Sequence, residues 1–257
     1  MDFADCEDFV INCTDRRFTD IAGIYKSTTA NLHTTYHMQI GSYTCGNYFL
    51  GLLHWLKQNL LPVDPAEYDI VIPVFSESQL EQFRSHMMDT VVQEARYIVV
   101  NDWGMLRCFS GRQRVRLGRL LFRDYRDHRY PAYEENHAYQ AKAGTLLAAL
   151  QNMEYEIAAA ENDLITLNYQ TDLESVDIYY HFPYRQISSA HICEFAAIGK
   201  PVEKKFIPDD DCSFQCFDVK IHHESGYLKI GRNIFDVLGK DWLPTVPKLR
   251  LIYTPGW

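Results

Sequence analysis

Ile70-Val71-Ile72-Pro73-Val74, a polar periodic stretch, and then Tyr97-Ile98-Val99-Val100 form the segment whose reading decides the fold class. Continuous apolar runs of this length suit strands buried on both faces, as in a parallel sheet covered by helices. Between the two runs Ser78 and Glu81 are spaced as a capping box, and Leu80, Phe83, Met87 and Val91 recur at helical intervals. Strand, helix and strand make a βαβ unit.

The same alternation extends in both directions. Upstream lie Phe9-Val10-Ile11-Asn12-Cys13 and Tyr36-His37-Met38-Gln39-Ile40, each reading as a strand. Downstream, Val115-Arg116-Leu117 reads as a fifth strand, residues 141–153 as a helix, and Val176-Asp177-Ile178-Tyr179-Tyr180 as a strand ending in the stiff His181-Phe182-Pro183-Tyr184. The pattern degrades after Ala190. Residues 198–211 carry Gly199, Pro201, Pro208 and three consecutive aspartates, which predict an irregular loop. Phe217-Asp218-Val219-Lys220-Ile221 and Tyr227-Leu228-Lys229-Ile230 predict a hairpin turning at Ser225-Gly226. The organisation expected is one α/β domain over residues 1–257, with an irregular cysteine-bearing loop at about 193–216 and a C-terminal hairpin.

Composition narrows the function classes. With 47% hydrophobic and 23% charged residues the 257-residue chain is in the ordinary globular range. A net charge of −9 gives no general electrostatic grip on nucleic acid. The local run of Arg112, Arg114, Arg116, Arg119, Arg123, Arg126 and Arg129 reads as a solvated helix and loop surface in preference to an anion site. No stretch reaches the roughly 18 apolar residues of a membrane span, and the start lacks the basic-then-apolar order of a secretory signal, so the expectation is a cytoplasmic protein. In a reducing compartment the seven cysteines ask for a metal or catalytic explanation before a disulfide.

Cys193 is followed by Cys212 and, after three intervening residues, Cys216. A C-x3-C pair can turn both thiolates onto one centre, and thiolates are the preferred ligands of zinc and of iron–sulfur clusters. A zinc ribbon would use two close pairs, and here there is one. Cys45 follows the strand at 36–40, where a parallel barrel displays ligand-binding residues. Buried cysteines also simply fill space, which is the reading taken for Cys6, Cys13 and Cys108. Cys193, Cys212 and Cys216 stand apart because Asp and Ser surround them, but spacing alone leaves both metal binding and inert thiols open.

Val99-Val100-Asn101-Asp102-Trp103-Gly104, followed by Leu117-Gly118-Arg119-Leu120-Leu121 and by Ser189-Ala190-His191-Ile192-Cys193, resembles the collagenase-like peptidase family. The subgroup it is most similar to is the UbiV-type iron–sulfur subgroup, whose N-terminal ligand ends a stretch like Ile40-Gly41-Ser42-Tyr43-Thr44-Cys45. The resemblance spans residues 36–220 on short motifs. It implies an incomplete or distorted TIM-like (β/α) barrel and a [4Fe–4S] cluster on Cys45, Cys193, Cys212 and Cys216, with zinc as the alternative occupant. Gln186 stands where longer members carry a further cysteine, the loop before Cys212 is longer, and His191 is a departure two residues before Cys193.

What the resemblance implies for function is an oxygen-independent hydroxylation or related redox step, of the ubiquinone-biosynthesis or RNA-modification type, on a small-molecule or RNA substrate. The alternatives are a peptidase or other hydrolase, and a non-catalytic cluster-bearing subunit that pairs with a paralogous family member. The sequence carries no H-E-x-x-H, G-x-S-x-G, P-loop or dinucleotide fingerprint. His222 and His223 are adjacent, so in a strand they point to opposite faces, and a surface hairpin is expected there. Asp209-Asp210-Asp211 reads as solvated, or as negative charge that tunes a nearby cluster. Asn101 and Asp102 at a strand end either meet substrate or cap the following turn. Tyr180 and Tyr184, with Tyr179 and Phe182, either line a pocket or pack in the core.

Overall fold

The structure, a computed structural model, describes residues 6–30, 36–59, 61, 63–109, 114–121, 150, 155–163, 176–190, 192–205, 212, 214–224, 226–243 and 248–256. Eight parallel strands form a closed barrel in the order β1 (Cys6–Asn12), β2 (Tyr36–Gly41), β3 (Tyr68–Ile72), β4 (Tyr97–Val100), β5 (Val115–Leu117), β6 (Ile157–Asn162), β7 (Asp177–Phe182) and β12 (Leu249–Tyr253), the last pairing back to β1. This is the α/β, TIM-like barrel that the sequence predicts, and its ring is complete. The departure from a regular barrel lies between β7 and β12. There an antiparallel sheet is inserted, built from β8 (Tyr184–Ser189), β9 (Lys220–His222), β10 (Leu228–Ile230) and β11 (Asn233–Val237) in the order β8-β11-β10-β9.

Alternation along each strand makes two separate cores. Phe9, Ile11, Met38, Ile40, Ile70 and Ile72 face outward, and are buried against α1 (Ile21–Thr29), α2 (Gly46–Leu56) and α3 (Glu77–Arg84). Val10, Tyr97, Ala159, Tyr179 and Ile252 face inward. They form one cluster although β1 and β4 are not neighbours, which requires contact across the barrel interior. Apolar burial on both faces is why the strands read as continuous apolar runs. At the end of β2, Gly41 has a left-handed φ of 107°, and a Cβ there would come within 2.2 Å of the Val71 carbonyl oxygen.

Several expectations need correction. The capping box of α3 is Ser76 with Gln79, two residues before the expected Ser78 and Glu81: the Gln79 amide donates to Ser76 Oγ and the Ser76 amide to Gln79 Oε1, each at 3.3 Å. The helix ends at Arg84, and Val91 belongs to α4 (Thr90–Gln93). Arg116 and Arg119 are buried and not solvated: β5 turns Arg116 into the barrel and Arg119 follows the strand at the barrel mouth, and carboxylates meet both. The hairpin is present as β9 and β10, but Phe217 and Asp218 lie in a 3-10 turn, Gln215–Asp218, ahead of it. The helix expected over 141–153 lies outside the described residues apart from buried Leu150, as do Arg112, Arg123, Arg126, Arg129 and the three aspartates at 209–211.

Candidate metal centre and barrel mouth

Cys45 follows β2 at the C-terminal end of the barrel, and the loop is shaped by Ser42, whose Oγ accepts from the amides of Thr44 at 3.2 Å and Cys45 at 2.9 Å. The turn places Cys45 at the N-cap of α2, where its sulfur accepts from the Tyr48 amide at 3.4 Å. A helix N-terminus favours a thiolate. Cys193 follows β8 and occupies the N-cap position of the short helix α6 (Glu194–Ala197). Cys212 accepts from the Phe214 amide at 3.3 Å, and Cys216 sits in the 3-10 turn that follows.

These four cysteines, 45 from the barrel and 193, 212 and 216 from the insertion, line one pocket of about 650 Å³ counted out to its open mouth. An aromatic cluster docks the cysteine turn onto α2. Phe214, in the left-handed region at φ 56°, stacks on Phe217 with centroids 5.5 Å apart and meets Phe18 edge-on at 5.8 Å. Gly51 leaves room for it, since a Cβ there would stand 3.2 Å from Phe214 Cζ. Arg232 and Asp15 are the charged residues on the pocket wall.

The thiols are electrostatically linked. A hydrogen bond from Cys212 draws the Cys193 thiol down to about 6 against the effect of burial, and the same bond with burial pushes Cys212 up. Burial, and then the neighbouring Cys45 and Cys193, push Cys216 up to about 12. Burial also raises Cys45, against the pull of Arg232. So Cys193 is the thiol that gives up its proton most readily, and burial holds the other three protonated. Among the described residues, no three His, Cys, Asp or Glu side chains close on a point suited to a single ion. Cys6 and Cys13 are buried core thiols and Cys108 is half-buried.

A second, smaller and polar pocket opens at the barrel mouth, lined by Asn12, Thr14, Tyr43, Arg119, Tyr184 and Thr254 among others, and it shares Asp15 and Asn233 with the cysteine pocket. Beneath it the Tyr43 hydroxyl donates to Glu161 Oε2 at 2.8 Å, and His181 Nε2 lies 3.1 Å from the same oxygen. Burial and then the charge of Arg119 depress the His181 pKa, against the pull of Glu161. Arg119 is ion-paired with Asp163 and donates to the Tyr184 carbonyl at 2.9 Å.

Of the four residues expected to border substrate, Tyr184 lines this mouth pocket. Tyr180 is buried in the outer core. Asp102 accepts from the Met105 amide at 2.9 Å, inside the first turn of α5 (Trp103–Phe109). Asn101 donates to the Ile72 carbonyl at 2.9 Å and lies against Gly118, so the two short motifs of strands β4 and β5 pack on each other. His222 and His223 are exposed on the hairpin. Asp15, Tyr43, Arg119, Glu161, His181 and Arg232 were not singled out by the sequence as pocket residues. Compared with family models, curated proteins and solved structures, the chain matches none.

Proposed function

We propose that the protein is an iron–sulfur member of the collagenase-like peptidase family, similar to its UbiV-type subgroup, that holds a [4Fe–4S] cluster on Cys45, Cys193, Cys212 and Cys216. The observation that carries the reading is the convergence of four cysteines, separated by up to 171 residues, on one pocket beside the barrel mouth. Four thiols satisfy the ligand count of such a cluster. Zinc, which four thiolates also suit, is the alternative occupant.

The cluster supplies one-electron transfer when bound. The chain's own residues supply the rest: α2 and the turn at Ser42 orient Cys45, the Phe214–Phe217 stack fixes the C-x3-C turn, and the polar mouth pocket adjoins the thiols through Asp15 and Asn233. This arrangement suits an oxygen-independent hydroxylation or related redox step on a group bound at the C-terminal face of the barrel, the usual location of reactive groups in this fold. Iron and acid-labile sulfide assays on anaerobically purified protein test it. About four irons and four sulfides per chain are expected, lost in the Cys212→Ala, Cys216→Ala double variant; zinc or no metal would refute the cluster.

A further inference from the structure

We propose that Arg232 is the positioning residue of the four-cysteine pocket, holding the loop that carries Cys45 and setting the reduction potential of the cluster through its positive charge. The inference rests on the cluster reading above.

Arg232 lies in the turn between β10 and β11, where two hydrogen bonds and the course of the preceding residue fix it. Gly231, just before it, is left-handed at φ 54°, and a Cβ there would lie 3.7 Å from Cys216 Cβ and 4.0 Å from its sulfur. The turn therefore runs directly beside one cysteine. The Arg232 guanidinium donates to the Thr44 carbonyl, one residue before Cys45. The Arg232 carbonyl accepts from the Ala190 amide at 3.1 Å, three residues before Cys193. Asn233 strengthens the strap by donating to Thr44 Oγ1 at 3.2 Å. One turn thus touches the segments that carry Cys45, Cys193 and Cys216.

Among the described residues that line the pocket, Arg232 is the cation and Asp15 the anion. A cluster on four thiolates carries net negative charge in both oxidation states and more when reduced. A fixed guanidinium on a partly buried wall stabilises the reduced form more, so it raises the potential.

The test is potentiometric titration of the anaerobically purified full chain, following the visible and electron paramagnetic resonance signals, in wild type, Arg232→Lys, Arg232→Gln and Arg232→Met. Arg185→Met, which removes a cation paired with Asp236 elsewhere on the inserted sheet, is the control. The expected result is a shift to lower potential in the two uncharged variants, a potential near wild type in Arg232→Lys, and no shift in the control. Arg232→Gln keeps a donor for the Thr44 carbonyl, so it reads charge if Arg232→Met loses iron. An uncharged variant that keeps its cluster at the wild-type potential overturns the proposal, as does loss of the cluster from Arg232→Lys with the fold intact by circular dichroism. A wild-type chain without iron and sulfide refutes the cluster reading itself.

Discussion

The guanidinium of Arg116 donates a hydrogen bond to the carboxylate of Asp69 inside the barrel, where neither side chain reaches solvent. Arg116 is also sandwiched between the rings of Tyr179, at 4.3 Å, and Tyr97, at 4.9 Å. Asp69 is shared, since Arg96 reaches it with two bonds, of 2.8 and 2.9 Å. The pairing is therefore asymmetric. Asp69→Leu removes the carboxylate that both guanidinium groups share and leaves Arg116 with Glu161 at 3.5 Å and Arg96 with Asp8 at 2.8 Å, and a loss of about 3 kcal/mol is expected from the weakened pairing of buried charge. Arg116→Met leaves Asp69 with Arg96, and is expected to cost less. Denaturant midpoints of the two variants and of the double variant check this; a double variant as unstable as the sum of the singles would show that the two residues are not coupled.

The contact between Asn101 and Gly118 yields a second expectation. A Cβ at Gly118 would come within 2.2 Å of Asn101 Oδ1, and Asn101 also ties the ends of β3 and β5 together through Ile72 and Leu120. Gly118→Ala is expected to destabilise the protein by about 1–3 kcal/mol through the displaced amide. In an Asn101→Ala background, where the obstruction is gone, the same change should cost much less. Iron content should be unaffected in all three variants. Equal costs in both backgrounds would break the link between the two motifs.

How much of this was legible in the sequence depended on whether neighbours in space were neighbours in the chain. Strands β1 to β5 and β7 announce themselves because their outward faces are apolar, and Val10, Val71, Val99 and Tyr179 add large apolar residues on the inward ones. β6 does not, since its inward face carries small Ala159 and charged Glu161 and so lacks a run of large apolar residues. β8 and β11 belong to a sheet partly open to water, and their pairing crosses 44 to 53 positions. The arginines were read as surface because a run of positive charge looks solvated, whereas the carboxylates that bury them, Asp69 and Asp163, lie 47 and 44 residues away. The thiols were legible for a local reason: one ends a strand and the others sit in polar sequence. Arg232 and Asp15 reach the same pocket only through long-range folding.

Removing the cluster is expected to loosen the insertion while sparing the barrel. Three of the four cysteines belong to the segment between β7 and β12, and the fourth belongs to the barrel, so the cluster would pin one to the other. The exposed Lys204 and Lys205 lie between Cys193 and Cys212 and give trypsin a site in that segment. After treatment with an iron chelator under oxidising conditions, cleavage there should accelerate several-fold, with the barrel fragments persisting. Mass spectrometry of the fragments over time reads the outcome. Cleavage at the same rate with and without the metal would mean that the aromatic cluster around Phe214 holds the loop unaided.

Asp15 should make the metal-free protein less stable as the pH rises. Burial lifts its carboxyl from 3.8 to about 6, although Ser42, Arg232 and Arg16 all favour the ionised form. A folded pKa above the unfolded value means that the folded state holds the proton more tightly. Below pH 3.8 both states are protonated and nothing is lost; between 3.8 and about 6 the penalty for ionising grows, and above that it is constant. Asp15→Asn removes the ionisation, and suits the backbone because asparagine tolerates the left-handed φ of 55° found there. Since the side chain is only half-buried, the gain at pH 8 is expected to be about 1–2 kcal/mol, less than the full shift would give. The gain should shrink as the pH falls through 6 and vanish below 3.8. Denaturant unfolding of both metal-free proteins from pH 4 to pH 8 measures it. A stability difference that stays constant across that range would place the cause in packing or backbone conformation and not in the charge of Asp15.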